Sequence, residues 1–308
     1  MNYVVHYMNI LFAGASILIA SLMTATAADV PRGPSRDWAS LAGQRFRAQR
    51  DVVYRIVEGK SLKLDFYTPY DGSAGPTVFY IHGGGWENGS KEQYILWYLP
   101  YLELGMRVVA VQYRLSPEAP APAGAEDCEC ALRWVFQNGA KYGIDLNRLV
   151  ITGGSSGGHL ALLTAFGGGA DCPELPAPPV RAAAVINYYG PTDLAALYRS
   201  GMPSLKRWLR AAADPEALAR SLSPLTYVRK GVPPVLTLHG DADGTVPFEH
   251  ATRLQTALNN AAVPNVLIRV PGGAHGRHTW SNSETLRVQR AIEKFLRTHK
   301  VFTVGAGQ

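Results

Sequence analysis

Residues 151–161 read Ile-Thr-Gly-Gly-Ser-Ser-Gly-Gly-His-Leu-Ala: a short apolar run breaks into glycines around serine and re-emerges as an apolar helix pattern. Few folds accept that passage, because a strand that becomes a helix within a residue or two needs flanking positions without bulk. The turn lifts the central hydroxyl clear of its neighbours. It also leaves the next backbone N–H free at a helix N-terminus, where negative charge is stabilised. The glycine pattern alone is weak in a chain with 31 glycines. Its weight comes from what surrounds it.

Strand-like stretches recur at 52–57, 62–67, 77–81, 108–112, 149–152, 183–188, 235–239 and 265–270. From the third onward they are continuous apolar runs, as expected of parallel strands covered on both faces. The first two alternate (Leu62, Leu64, Phe66) and predict an antiparallel edge hairpin. Helical patterns fall between them at 125–138, 247–259 and 284–296, and Asp214-Pro215-Glu216 reads as a capped helix start. The alternation predicts one doubly wound α/β domain over residues 51–300. The stretch 194–223 is too long for a plain crossover and is a candidate lid.

The first 28 residues carry no Lys, Arg, Asp or Glu, and their apolar run ends in Thr-Ala-Thr-Ala-Ala. That predicts a secretory signal over 1–28, cleaved near Ala27 or Ala28, and a periplasmic or secreted product with no stable membrane span after cleavage. An aperiodic arm follows over 29–50. The net charge is +6, but Lys and Arg are scattered, which argues against a nucleic-acid footprint. Cys128 and Cys130 diverge on one predicted helix, and either meets Cys172 only if the fold brings them together. Three buried free thiols are the expectation, and Cys-x-Cys without nearby histidines is no zinc site.

Three further motifs turn the serine loop into a site. Two frames fit Gly-x-Ser-x-Gly; because the strand ends at Thr152, Ser155 is taken as nucleophile, and Ser156 as the residue lending its N–H. Asp243, just past the apolar run at 235–239, is placed to orient a histidine ring and stabilise its imidazolium. Asp241 is read as a turn residue bonding its own backbone. His275, in Pro-Gly-Gly-Ala-His-Gly, is a histidine on a glycine loop, the residue type and setting a general base needs, whereas His278 is read as a surface residue. The chain order Ser, Asp, His differs from that of trypsin and subtilisin. His82-Gly83-Gly84-Gly85-Trp86 follows another strand. The N–H groups of Gly84 and Gly85, with that of Ser156, are candidate oxyanion donors. His82 is read as structural. Trp86 lines the pocket or braces the loop, and is taken as the substrate-binding residue.

These motifs, with Tyr113-Arg114-Leu115-Ser116-Pro117-Glu118 and the Asp-x-x-Val-Pro stretch at Asp243, resemble the α/β-hydrolases over about residues 51–296. Within that superfamily the chain is similar to the hormone-sensitive-lipase-like esterases, and His159-Leu160-Ala161 looks most like the bacterial feruloyl-esterase-like branch. It departs from many relatives at Gly154 and Ser156, where they carry Asp and Ala, and in a reduced N-terminal cap. The resemblance implies a mostly parallel eight-stranded sheet with helices on both faces. It implies a carboxylesterase that cleaves small-molecule esters with short or aromatic acyl groups through an acyl-enzyme, without metal or organic cofactor. Alternatives are an N-formyl amide hydrolase similar to kynurenine formamidase, a peptidase on the same scaffold, or an inactive binding module.

Overall fold

A computed structural model describes residues 46–70, 74–168, 172–175 and 182–302. The expected leader over 1–28 and most of the arm over 29–50 lie outside the described residues. Among the described residues eight strands form one sheet: β1 (Phe46–Val57), β2 (Lys60–Pro69), β3 (Gly75–Ile81), β4 (Arg107–Val111), β5 (Ile144–Gly154), β6 (Ala184–Tyr188), β7 (Val235–Gly240) and β8 (Asn265–Val270). They lie in the order β1-β2-β4-β3-β5-β6-β7-β8. β1 and β2 pair antiparallel, β2 meets β4 antiparallel, and all later pairs are parallel.

The strand chemistry follows the burial. β4, β6 and β7 are buried at every position, which is why apolar residues dominate each. The β1–β2 hairpin turns on Glu58 and Gly59, both with positive φ, a two-residue turn whose twist matches the flanking strands. β1 begins at Phe46, so the arm expected to end without regular structure at Arg50 finishes inside the edge strand. The alternation there is blurred by a register shift between Gln49 and Val52, where Asp51 adopts a φ of 60°.

Helices α1 (Ile95–Glu103), α2 (Ala123–Asn138), α3 (Ser156–Phe166), α4 (Leu194–Arg199), α5 (Pro203–Trp208), α6 (Pro215–Ser221), α7 (Glu249–Asn260) and α8 (Asn282–Thr298) cover the sheet. Buried residues of α2, α3 and α7 join one core cluster, and those of α1 and α8 join the other. Every residue of α3 is buried, which explains its lack of a polar face. The candidate lid at 194–223 holds three short helices, α4 to α6; Asp193 and Asp214 cap the first and last by accepting from Ala196 and Ala217 N–H. Asp127, fully buried on α2, accepts from Arg55 of β1 at 2.7 Å and from Arg114 at 2.8 and 2.9 Å. That network fixes the Tyr113–Glu118 segment beside the site.

The expectation of three free thiols is corrected: Cys130 and Cys172 form a disulfide, and only Cys128 stays a buried free thiol. Cys130 sits on the inner face of α2, and the chain after α3 returns to it. The bridge closes a loop with a sequence separation of 42 residues. Reduction, or Cys130→Ala with Cys172→Ala, is expected to lower the unfolding free energy by about 4 kcal/mol in urea denaturation, from the chain entropy restored to the unfolded state. An unchanged urea midpoint would refute it.

Candidate active site

Ser155 sits at the apex between β5 and α3 with φ 56° and ψ −126°, a conformation costly for a non-glycine residue. Neighbours impose it. Its N–H donates to Tyr188 O at 2.9 Å, and its own carbonyl accepts from His159 N–H at 3.0 Å in the first turn of α3. Glycine is required on both sides because a Cβ at Gly153 or Gly157 would collide with the carbonyl oxygen of Ile81 at the end of β3. Ser155 lines the cavity above the sheet, whereas Ser156 is 1% exposed and turned into the core.

Two loops at the same sheet end complete the group. His275 Nε2 accepts from Ser155 Oγ at 2.8 Å, and His275 Nδ1 donates to Asp243 Oδ2 at 2.7 Å. The other carboxylate oxygen of Asp243 accepts the N–H groups of Thr245 and Val246, each at 2.9 Å. Burial alone would raise the Asp243 carboxyl. The hydrogen bonds from His239, His275 and Val246 outweigh it and hold the group well below the usual carboxylate range. Asp241 bonds its own backbone and reaches further: it accepts from Gly272 N–H at 2.7 Å and from Arg269 at 2.6 Å, so it ties down the loop that carries His275. His278 is exposed at the cavity rim.

The loop after β3 bends through positive φ at Gly84 (123°), Gly85 (65°) and Trp86 (61°). Gly83, Gly84 and Gly85 line the cavity beside Ser155. His82 stays out of the chemistry: its Nδ1–H donates to Gly83 O at 2.8 Å, its ring stacks on Tyr113, and burial pushes its pKa down to about 4. Trp86 is a correction. It is 1% exposed, stacks on Trp208 of α5 with ring centres 5.1 Å apart, and donates its indole N–H to His159 Nδ1 at 3.1 Å. It therefore braces the glycine loop against α3 and the insertion and takes no part in the cavity wall. His159 can accept the indole N–H at Nδ1 because its Nε2–H donates to Leu222 O at 2.7 Å.

The rest of the wall belongs to residues the motifs did not name. An open cavity of about 350 Å³ is lined by Tyr94, Trp97, Tyr189, Met202, Ser204 and Thr245 around Ser155 and His275. The aromatic-rich stretch Tyr94–Tyr101 was the one available signal for the first two; Tyr189 follows an otherwise ordinary strand. A second cavity of about 700 Å³ shares Glu87, Met202, Ser204 and Thr245 with the first. Arg207 of α5 grips Glu87 with two bonds of 2.6 and 2.7 Å, lowering the Glu87 carboxyl. The described Cys130, Cys172 and Glu174 cluster has its two sulfurs bonded to each other, so those thiolates are not available as ligands.

The BD-FAE family model matches residues 64–258, and that of the TAP-like proteins matches residues 214–305. The chain belongs to the BD-FAE family. Its α/β-hydrolase fold is shared with solved esterases. Thermogutta terrifontis esterase 2 in a butyrate-bound form aligns with a TM-score of 0.69 and 27% identity, over 84% of this chain and 96% of that one. A truncated carbohydrate esterase from gut microbiota aligns at 0.68 and 25% identity, over 82% and 98%. Esterase LipQ of Mycobacterium tuberculosis is 30% identical over 267 residues, 82% of this chain and 63% of LipQ. The chain thus spans less than two thirds of that curated relative's length.

The buried histidines of this BD-FAE chain make its stability depend on pH in a set direction. Burial lowers His82 and His159 from 6.5 to about 4. The unfolded chain therefore takes up protons between those values that the folded chain refuses, and stability present above pH 6.5 drains away on acidification. Each group contributes a slope of up to about 1.4 kcal/mol per pH unit. Urea denaturation at pH 7, 6 and 5 is expected to show this decline, and His159→Gln a shallower one; parallel slopes would contradict it.

Proposed function

We propose that this protein is a serine carboxylic-ester hydrolase working through an acyl-enzyme. The observation that carries the reading is the continuous hydrogen-bonded relay from Ser155 Oγ through His275 to the buried Asp243 carboxylate. In this reading His275 Nε2 takes the hydroxyl proton as Ser155 Oγ attacks the acyl carbon. Asp243 fixes the ring tautomer and balances the imidazolium without itself taking the proton. The backbone N–H groups of Gly84, Gly85 and Ser156 hold the oxyanion, each worth on the order of 3 kcal/mol of barrier. The proton then passes from His275 to the departing alcohol. A water molecule, deprotonated by His275, releases the acid and restores Ser155.

Short or aromatic acyl groups suit the cavity in this reading. Tyr94, Trp97 and Tyr189 offer flat apolar walls, and about 350 Å³ encloses little of a long chain. The Thermogutta esterase, solved with butyrate and with propionate bound, points the same way. Export to the periplasm or medium is supported by the uncharged leader and by a disulfide, which persists in oxidising compartments.

Ser155→Ala is expected to lower p-nitrophenyl butyrate turnover by about 10⁴- to 10⁶-fold with the melting temperature unchanged. Survival of most of the activity, or fluorophosphonate labelling of Ser156, would refute the assignment. In an acyl-length series, each enclosed methylene adds about 0.8 kcal/mol, so kcat/KM should peak between acetyl and about hexanoyl. A steady rise through dodecanoyl would point to a long-chain lipase, and preference for an N-formyl amide over esters to an amidase.

A further inference from the structure

His239 stands at the end of β7, four positions before Asp243, and is completely buried. Its Nε2 lies 2.9 Å from Val246 O, and the same atom faces Asp243 Oδ2 at 3.3 Å. Nδ1, on the far side of the ring, is buried without a partner among the described residues. Phe248 meets the ring edge-on at 5.7 Å and Tyr189 at 6.4 Å, so aromatic rings pack against the buried imidazole.

These contacts select one tautomer. A bare Nε2 would point its lone pair at two oxygens, and an Nδ1–H would be an orphaned buried donor, costly in itself. The neutral ring with hydrogen on Nε2 satisfies the first demand and leaves only an acceptor unpaired. Val246 makes the arrangement a closed ring: its N–H donates to Asp243 Oδ1 while its carbonyl receives His239. The loop that presents Asp243 is thereby held at both of its polar ends. Oδ2, the oxygen that receives His275, also has the His239 N–H beside it.

We infer that His239 is a positioning residue of the hydrolytic site, a second imidazole that holds the Asp243 carboxylate in line with His275. The inference rests on the serine-relay reading of the site. With N–H groups of Thr245, Val246 and His275 bonded to it and that of His239 facing it, the carboxylate is a weak base. The proton gained by His275 then stays on His275 while the oxyanion exists. Without His239, Oδ2 keeps only its bond to His275, and the Asp243 loop loses the tie from β7 to Val246 O. The loss falls on the rate of the chemical step and leaves substrate binding alone, because the cavity wall contains neither His239 nor Val246.

The test compares His239→Leu with His239→Gln, whose side-chain amide restores a donor near the Nε2 position, using p-nitrophenyl butyrate and a melting curve for each. His239→Leu is expected to lose about tenfold in kcat, the low end for a hydrogen bond to a charged group, with KM little changed. His239→Gln should recover most of it. Wild-type kcat in His239→Leu, or equal losses in the two variants, would overturn the proposal. If His239→Leu does not fold, ¹⁵N-histidine NMR of the wild-type chain decides. A neutral Nε2–H ring at His239 is expected; an Nδ1–H or doubly protonated ring would overturn it. Ser155→Ala separates the two readings: activity surviving there sinks the serine relay itself, whereas a dead Ser155→Ala beside a fully active His239→Leu sinks only the role of His239.

Discussion

Three pieces of backbone meet at the end of the sheet with no side chain between them. The carbonyl of Ile81, closing β3, sits where a Cβ of Gly153 or Gly157 would have to be, and a Cβ at Gly83 would strike the carbonyl of Gly154. This contact sets the distance between the glycine loop after β3 and the serine after β5. It also forces Ser155 into a φ of 56°, since the chain must leave β5 and enter α3 in one step. The strain is tolerable because α3 is buried along its whole length and cannot shift to relieve it. Any substitution that thickens the contact moves nucleophile and oxyanion donors apart together.

The loops that converge on this contact are held by polar atoms placed inside the core. Trp86 of the glycine loop, His159 of α3 and Leu222 at the end of the insertion form a relay of donated hydrogen bonds, with Trp208 stacked on the first ring. The insertion is thus fastened to the loop it overhangs. At the rim, the Glu87–Arg207 pair makes a second, exposed link between the same two pieces. An exposed pair of this sort adds little stability. Its place is at the meeting of the two cavities: Glu87 lines both and Arg207 lines the larger.

Much of this was legible in the chain, for a physical reason. Buried parallel strands are mostly apolar, backbone contacts with no room for a Cβ must be glycine, and a relay needs Ser, Asp and His at the same strand ends; each demand leaves a residue type in a fixed place. The Trp86 side chain escaped because aromatic character is equally compatible with a pocket wall and with a buried brace, and only the position of His159 and Trp208 decides. The Cys130–Cys172 bridge escaped because it depends on where the chain travels after α3, which no local pattern encodes. α1 was missed since its apolar, aromatic sequence with Pro100 inside has neither a helical polar face nor a cap signal. Asp241 does more than bond its own backbone: Gly272 and Arg269, which it also serves, lie on the next strand and its loop, beyond the reach of a local pattern.

The histidines show how environment sorts one residue type into separate tasks. Burial drives His82, His159 and His250 down to about 4, so at neutral pH they are uncharged hydrogen-bonding parts. His250 uses its bare Nδ1 to accept from the N–H groups of Thr192 and Asp193 at the entrance to the insertion. Among the described histidines, His275 alone has one nitrogen against a carboxylate and the other against a hydroxyl, with the cavity open beside it. Residue type therefore narrows the search for a general base without completing it. The completing condition is two-sided: a partner that stabilises the protonated ring behind, and a group able to give up a proton in front. His239 lacks the second half, since its far nitrogen faces only buried core, and for that reason it can orient the carboxylate but not exchange protons with a substrate.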